Sequence, residues 1–380
     1  MTFRYGDRVR WWALTGLAFA AGCVVVGEPD VQVAADASSS TSIEEPIGSS
    51  GMTSTTTTGT PDPASTDTGD TPPIDAPDFS VFWAVSPSSI VPPENSAGEI
   101  RTDVYLISGF SYGDQPAAIS DLEAFYADVE SSVEAAIPEP DAEGLGVMPR
   151  PLWVPAWCDT SDERRNAFAA SELGQGLTGD ALADAYEATA VEILTEAIAR
   201  ARAVRPNMQW GFHAVPAPEY WEIAARDPDD QYEDWRSCNV GGASPQALWD
   251  AVDFTAPELR YFYSVRDDGA YNDSYLYRWV ESMRLAGKPV YPWFDGRFLS
   301  SSEDDDSIYI GLPYYAEDVE LILTQLHAAG ANGLLYRLDA DGCWDLDADC
   351  SAAPPADLQG AVDAYWMDSF SPILDALGDG

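Results

Sequence analysis

Apolar residues recur along the chain in two periods, and they do so only beyond Asp78. Seven short runs read as strands buried on both faces: Phe79–Val85, Thr102–Ile107, Gly144–Met148, Met208–Ala214, Leu259–Val265, Pro289–Phe294 and Gly333–Leu338. Between several of them the apolar positions return every three to four residues, the period of a helix with one buried face. Ala117–Ile137 places Ile119, Leu122, Phe125, Tyr126, Val129 and Val133 on one such face. Asp180 opens a long helix that runs to Arg205 and is stopped by Pro206, with Leu182, Tyr186, Val191, Leu194 and Ile198 periodic. Further helices fit Asn272–Ala286, Ala316–Ala329 and Asp357–Leu377. Strands alternating with helices predict a parallel sheet, and right-handed crossovers can close it into a ring. The expected fold class is α/β, a distorted TIM-like (β/α) barrel of about seven strands. An open doubly wound sheet is the alternative, but no Gly-rich phosphate loop follows the first strand.

The stretch before Asp78 carries no such pattern. Arg4, Arg8 and Arg10 precede an apolar run from Trp11 to Ala20 that is too short to span a bilayer. Ala20-Ala21-Gly22-Cys23 then places small residues ahead of a cysteine, as a bacterial lipoprotein cleavage site does. Residues 1–22 are expected to be a lipoprotein signal peptide and Cys23 the lipidated first residue of the mature chain. Val24 rather than Asp follows Cys23, which gives no hint of retention at the inner membrane. Residues 23–77 are dominated by Ser, Thr, Pro, Gly and acids, as in Ser38-Ser39-Ser40-Thr41. Such a segment buries too little to repay the entropy of folding and reads as a disordered tether. Residues 78–380 form the barrel domain. The expected location is outside the cytoplasm, lipid-anchored at the outer membrane or cell surface, with the anchor as the only membrane contact and the domain a monomer.

Charge narrows the partners. The chain of 380 residues has 64 acidic and 19 basic residues, a formal net charge of -45, and Lys288 is its only lysine. Binding to nucleic acid depends on neutralising phosphates with Lys and Arg, so nucleic acid is excluded as a partner. With only His213 and His327 present, a multi-histidine zinc site is excluded as well. The run Asp339-Ala340-Asp341-Gly342-Cys343-Trp344-Asp345-Leu346-Asp347-Ala348-Asp349 alternates aspartates, yet no glycine sits at the sixth place of a helix-loop-helix calcium loop and no glutamate closes it. No metal and no cofactor are expected.

Four cysteines follow Cys23, an even count in an exported chain, which suggests two disulfides. Cys343 and Cys350 are close enough to staple one acidic loop. That leaves Cys158 with Cys238, linking the loops after the third and fourth strands.

Several of these segments, taken in order, resemble the hyaluronidases of animals and venoms. Phe79-Ser80-Val81-Phe82-Trp83-Ala84-Val85 is similar to that family's first strand. Arg205-Pro206, Trp210-Gly211-Phe212-His213 and Pro216 resemble its fourth strand, and Lys288 to Trp293 its sixth. Ala329-Gly330-Ala331-Asn332-Gly333 resembles its closing helix-to-strand step. The resemblance implies a glycoside hydrolase barrel with its site at the carboxyl ends of the strands. It also implies a departure. Where the family has Asp-x-Glu at the end of the third strand, this chain has Pro149-Arg150-Pro151. In the family the Glu is the general acid and the Asp orients the substrate's acetamido group, which acts as nucleophile. Proline can do neither. The remaining sugar-site candidates that the resemblance supplies are Trp153, His213, Tyr263, Trp293 and Arg337, with Arg337 standing where the family has tryptophan.

Two functions follow as expectations. One is a non-catalytic barrel that binds a polysaccharide or a surface partner. The alternative is an active glycoside hydrolase on an amino-sugar-containing polysaccharide, working through relocated carboxylates. Glu219, Asp295 and Asp339 sit just beyond expected strand ends and are the candidates for that role.

Overall fold

A computed structural model describes residues 79–85, 90–93, 100–215, 235–240, 243–259, 276, 278, 280–296, 313–337 and 356–378. Eight strands occur among them: β1 (Ser80–Trp83), β2 (Ile100–Arg101), β3 (Val104–Leu106), β4 (Gly144–Met148), β5 (Met208–Phe212), β6 (Glu258–Leu259), β7 (Trp293–Phe294) and β8 (Gly333–Tyr336). Every pairing between them is parallel. They form a sheet ordered β2-β1-β8-β7-β6 and a second ordered β3-β4-β5.

The two sheets are arcs of one ring. Only Thr102 and Asp103 separate β2 from β3, so one bent stave pairs with β1 through its first half and with β4 through its second. On the other side, parallel bridges from His213 to Ala256 and from Thr255 to Val290 carry the pairing from β5 through β6 to β7. Counting β2 and β3 as one stave gives a distorted seven-stave α/β barrel, as the alternation predicts.

Side-chain alternation separates the inside of this ring from its outside. Phe82, Leu145, Val147, Phe254, Ala256, Trp293 and Leu335 form one buried cluster that fills the lumen. The residues between them face helices. Met148, Met208, Trp210 and Phe212 join the cluster of α1 (Leu122–Ala136), α2 (Asp162–Ala170), α3 (Asp180–Val204) and α4 (Ala243–Ala251). Trp83, Phe294, Leu334 and Tyr336 pack with α5 (Ala316–Ala328), α6 (Leu358–Tyr365) and a π-helical turn at Trp366–Phe370 that leads into α7 (Ser371–Gly378). Two glycines make room for this packing. A Cβ on Gly146 would collide with the Trp210 ring, and one on Gly211 would stand 2.6 Å from the Phe254 ring inside the lumen.

The helix ends follow their local chemistry. Asp121 caps α1 by accepting from the Ala124 N–H at 3.0 Å. The buried Arg205, just past α3, donates to the carbonyls of Ile137 at 2.7 Å and Val204 at 2.8 Å. One guanidinium thus closes the carboxyl ends of α1 and α3, which gives the Arg205-Pro206 pair a structural role. The expected helix Ala117–Ile137 divides into a 3-10 turn at Pro116–Ala118 and α1, with Ile119 in extended conformation between them. Helices α2 and α4 fall outside the sequence expectation. α2 buries only Phe168, so no apolar period announces it. Among the described residues no helix is long and apolar enough to cross a membrane.

Candidate functional site

Continuing the alternation past the filled lumen places one layer of residues at the carboxyl ends of the staves. Leu145 and Val147 on β4 are followed by Pro149, and Gly211 on β5 by His213. Phe254 and Ala256 lead to Glu258 on β6, Trp293 on β7 to Asp295, and Leu335 on β8 to Arg337. Ala84 follows Phe82, and Leu106, 46% exposed, follows Val104. An apolar lumen therefore ends in a polar mouth.

Glu258 is its centre. The side chain is only 9% exposed, and its carboxylate stands 3.6 Å from Arg150 Nη1 and 3.6 Å from His213 Nε2. One register step away, Asp295 Oδ1 lies 3.7 Å from Arg337 Nε. The His213 ring meets the Trp293 ring edge to face, with centroids 4.7 Å apart. His213 is held from its backbone, where its N–H donates to the Met148 carbonyl at 2.9 Å. The next residue, the fully buried Ala214, has φ of 50°, the left-handed region that a Cβ disfavours. Its N–H donates to the Ala256 carbonyl at 2.8 Å, so the turn that positions His213 is pinned to the stave carrying Glu258. The buried nitrogens His213 Nε2 and Trp293 Nε1 have no hydrogen-bond partner.

The structure brings His213, Trp293, Asp295 and Arg337 together at this mouth, with Pro149 at its edge. Pro151 is buried. Trp153 is not presented there. It is 1% exposed, packs in the helical cluster and donates through Nε1 to the Tyr112 carbonyl at 3.2 Å. Glu219, Tyr263, Asp339, Cys343, Cys350 and Cys23 lie outside the described residues. Cys158 and Cys238 are joined by a disulfide, with Cα atoms 6.1 Å apart. Among the described residues no group of three or more His, Cys, Asp or Glu side chains is placed to hold a metal ion.

One mouth residue was passed over in the chain alone. Arg150 stands out there as the middle of the Pro-Arg-Pro run, but its pairing with Glu258 is set across strands. Glu258 does carry a signal, since Phe254, Ala256 and Glu258 alternate, but a strand taken to begin at Leu259 passes it by.

The fold is that of a hyaluronidase-like barrel. Residues 112–233 match the family model of the hyaluronidases. A crystal structure of bee venom hyaluronidase superposes with a TM-score of 0.58 at 12% identity, covering 78% of this chain and 99% of the venom protein. A second, of bee venom hyaluronidase in complex with a hyaluronic acid tetramer, gives 0.55 at 13% identity over 79% and 99%. At such identity this likeness is one of fold. No curated protein matches the chain by sequence. The chain is hyaluronidase-like, in fold and in the sequence of its middle third.

Proposed function

We propose that the barrel mouth binds a saccharide and does not cleave it by the hyaluronidase mechanism. One observation carries this. The resemblance puts Pro149 and Pro151 at the family's acid positions, and the two carboxylates that the described mouth does contain both face arginine. Glu258 stands 3.6 Å from Arg150, and Asp295 stands 3.7 Å from Arg337. An opposite charge at that distance favours the ionised carboxylate. An ionised carboxylate accepts hydrogen bonds from sugar hydroxyls but has no proton to give a leaving oxygen. The fold supports the glycan half of the proposal, because one structural relative is in complex with a hyaluronic acid tetramer. The purified chain on a glycan array is expected to retain at least one oligosaccharide class. An array with no retained glycan contradicts the proposal.

Hydrolysis through relocated carboxylates is the second reading, and what favours it is the placement of Glu258 and Asp295 on adjacent staves. Release of new reducing ends from whatever glycan binds would establish it.

We also propose that the domain works at the cell surface, tethered through Cys23 by the low-complexity segment. Cells fed labelled palmitate are expected to label the chain. A Cys23→Ala variant that labels equally contradicts the anchor.

A further inference from the structure

Independently of what the mouth binds, we infer that ionic strength controls the stability of this domain, and that the seam between α1 and α3 is where it acts most. Beyond residue 78 the chain has 53 acidic and 16 basic residues. Ten of those acids fall between Arg101 and Arg150, a stretch with no Lys, Arg or His, and α1 lies within it. Asp121, Glu123, Asp128 and Glu134 are exposed on α1 or at its cap. The neighbouring α3 adds Glu192 and Glu196. A one-sided charge of this kind repels itself and opposes the compact state.

One guanidinium crosses the seam. Arg200 of α3 donates through Nε to Glu196 at 2.6 Å and through Nη1 to Glu130 of α1 at 3.1 Å. Its Nη2 stands 3.3 Å from Glu123 Oε2, and its Cζ lies over the Tyr126 ring, 5.3 Å from the centroid. Among the described residues no other cation is within ion-pair distance of an α1 carboxylate. Arg205, which also touches both helices, is bound to their carbonyls. Three carboxylates therefore share one positive charge. Glu192, exposed one turn before Glu196, adds a further negative charge to the same side. The Tyr126 hydroxyl registers this field, since burial and then the carboxylates of Glu196 and Glu192 push it up to about 12.

Salt acts on these forces unequally, because they differ in range. The screening length falls from about 30 Å at about 0.01 M to about 3 Å at about 1 M. The Arg200 pairs are contacts of 2.6 to 3.3 Å, short enough to persist in concentrated salt. Repulsion among carboxylates that make no contact acts over longer distances and is screened away. Added salt thus removes the repulsion and leaves the contacts, and the folded domain gains stability.

Melting midpoints of the purified full chain between about 10 mM and about 500 mM NaCl test this, with an expected rise of about 4 °C or more. A flat or falling midpoint overturns the inference. Potassium chloride is expected to act as sodium chloride does. Stabilisation by only one of the two salts, or a rise of the same size from about 1 mM CaCl2 at low salt, would assign the effect to a bound ion and overturn screening. Arg200→Gln removes the shared charge, and its loss of midpoint is expected to be about twice as large at low salt as at high salt. Where that variant fails to fold, Glu192→Lys at an exposed position sets a cation one turn from Glu196. It is expected to raise the low-salt midpoint by about 1–2 °C and to leave the high-salt midpoint unchanged. An Arg200→Gln loss equal at both salts, or a Glu192→Lys protein with no gain at low salt, overturns the assignment to the seam.

Discussion

Replacing both Cys158 and Cys238 by serine is expected to lower the unfolding free energy by about 4 kcal/mol, the loop-closure entropy that a cross-link of this span removes from the unfolded chain. The two cysteines are 80 residues apart in sequence, a span that includes α2, α3 and β5. In the folded state the link ties the loop after β4 to the segment at 235–240. Asn239 Nδ2 donates to Asp159 Oδ2 at 3.2 Å beside it, and Arg165 donates to the Cys158 carbonyl at 2.9 Å. The folded side of the link is therefore held by other bonds, and its removal acts chiefly on the unfolded chain. Urea denaturation of the wild type and the double serine variant measures the difference. Equal midpoints would show that the link closes no entropy the fold needs.

The barrel was largely legible in the chain and its mouth only partly so, for physical reasons. β4 was expected at Gly144–Met148 and is found there, because apolar alternation and a following proline bound it on both sides. α3 was expected from Asp180 to Arg205 and runs to Val204, since 25 residues of helical period end at a proline that cannot continue the ladder. Six of the seven apolar runs became staves, and of the fifth, Leu259–Val265, only Leu259 lies among the described residues, at the end of β6. Glu258 escaped because the preceding Pro257 reads as a strand boundary. The Pro257 carbonyl nonetheless accepts from the Trp293 N–H at 2.7 Å, and the stave includes Glu258. Ion pairs across staves, such as those of Arg150 with Glu258 and Arg337 with Asp295, depend on register, which no single strand encodes. Trp153 was expected at the sugar site from its place after the Pro-Arg-Pro run. Loop residues have no period to tell inside from outside, and the structure puts it in the core.

Restoring the family's acid pair by Pro149→Asp with Pro151→Glu is expected not to create a hyaluronidase. A general acid contributes about 10²–10⁴ in rate only when it is protonated and within reach of the leaving oxygen. Here the new carboxylates would flank Arg150, which already faces Glu258 at 3.6 Å. Three carboxylates would share one guanidinium. The position of Pro151 is buried, so a charge placed there without its own partner costs about 3 kcal/mol or more. The expected result is a protein with a lowered melting midpoint and no gain in turnover on hyaluronan. Turnover by this variant would show that the acid pair alone separates the chain from the enzymes it resembles.

The most direct measurement is the release of new reducing ends from hyaluronan and chondroitin by the purified wild-type chain. With Pro149 and Pro151 at the family's acid positions, and with Glu258 and Asp295 each facing an arginine, the predicted release is no greater than in buffer alone. Sustained release that a Glu258→Gln or Asp295→Asn variant abolishes would contradict it, and would make the barrel a hydrolase with its acid moved to another strand.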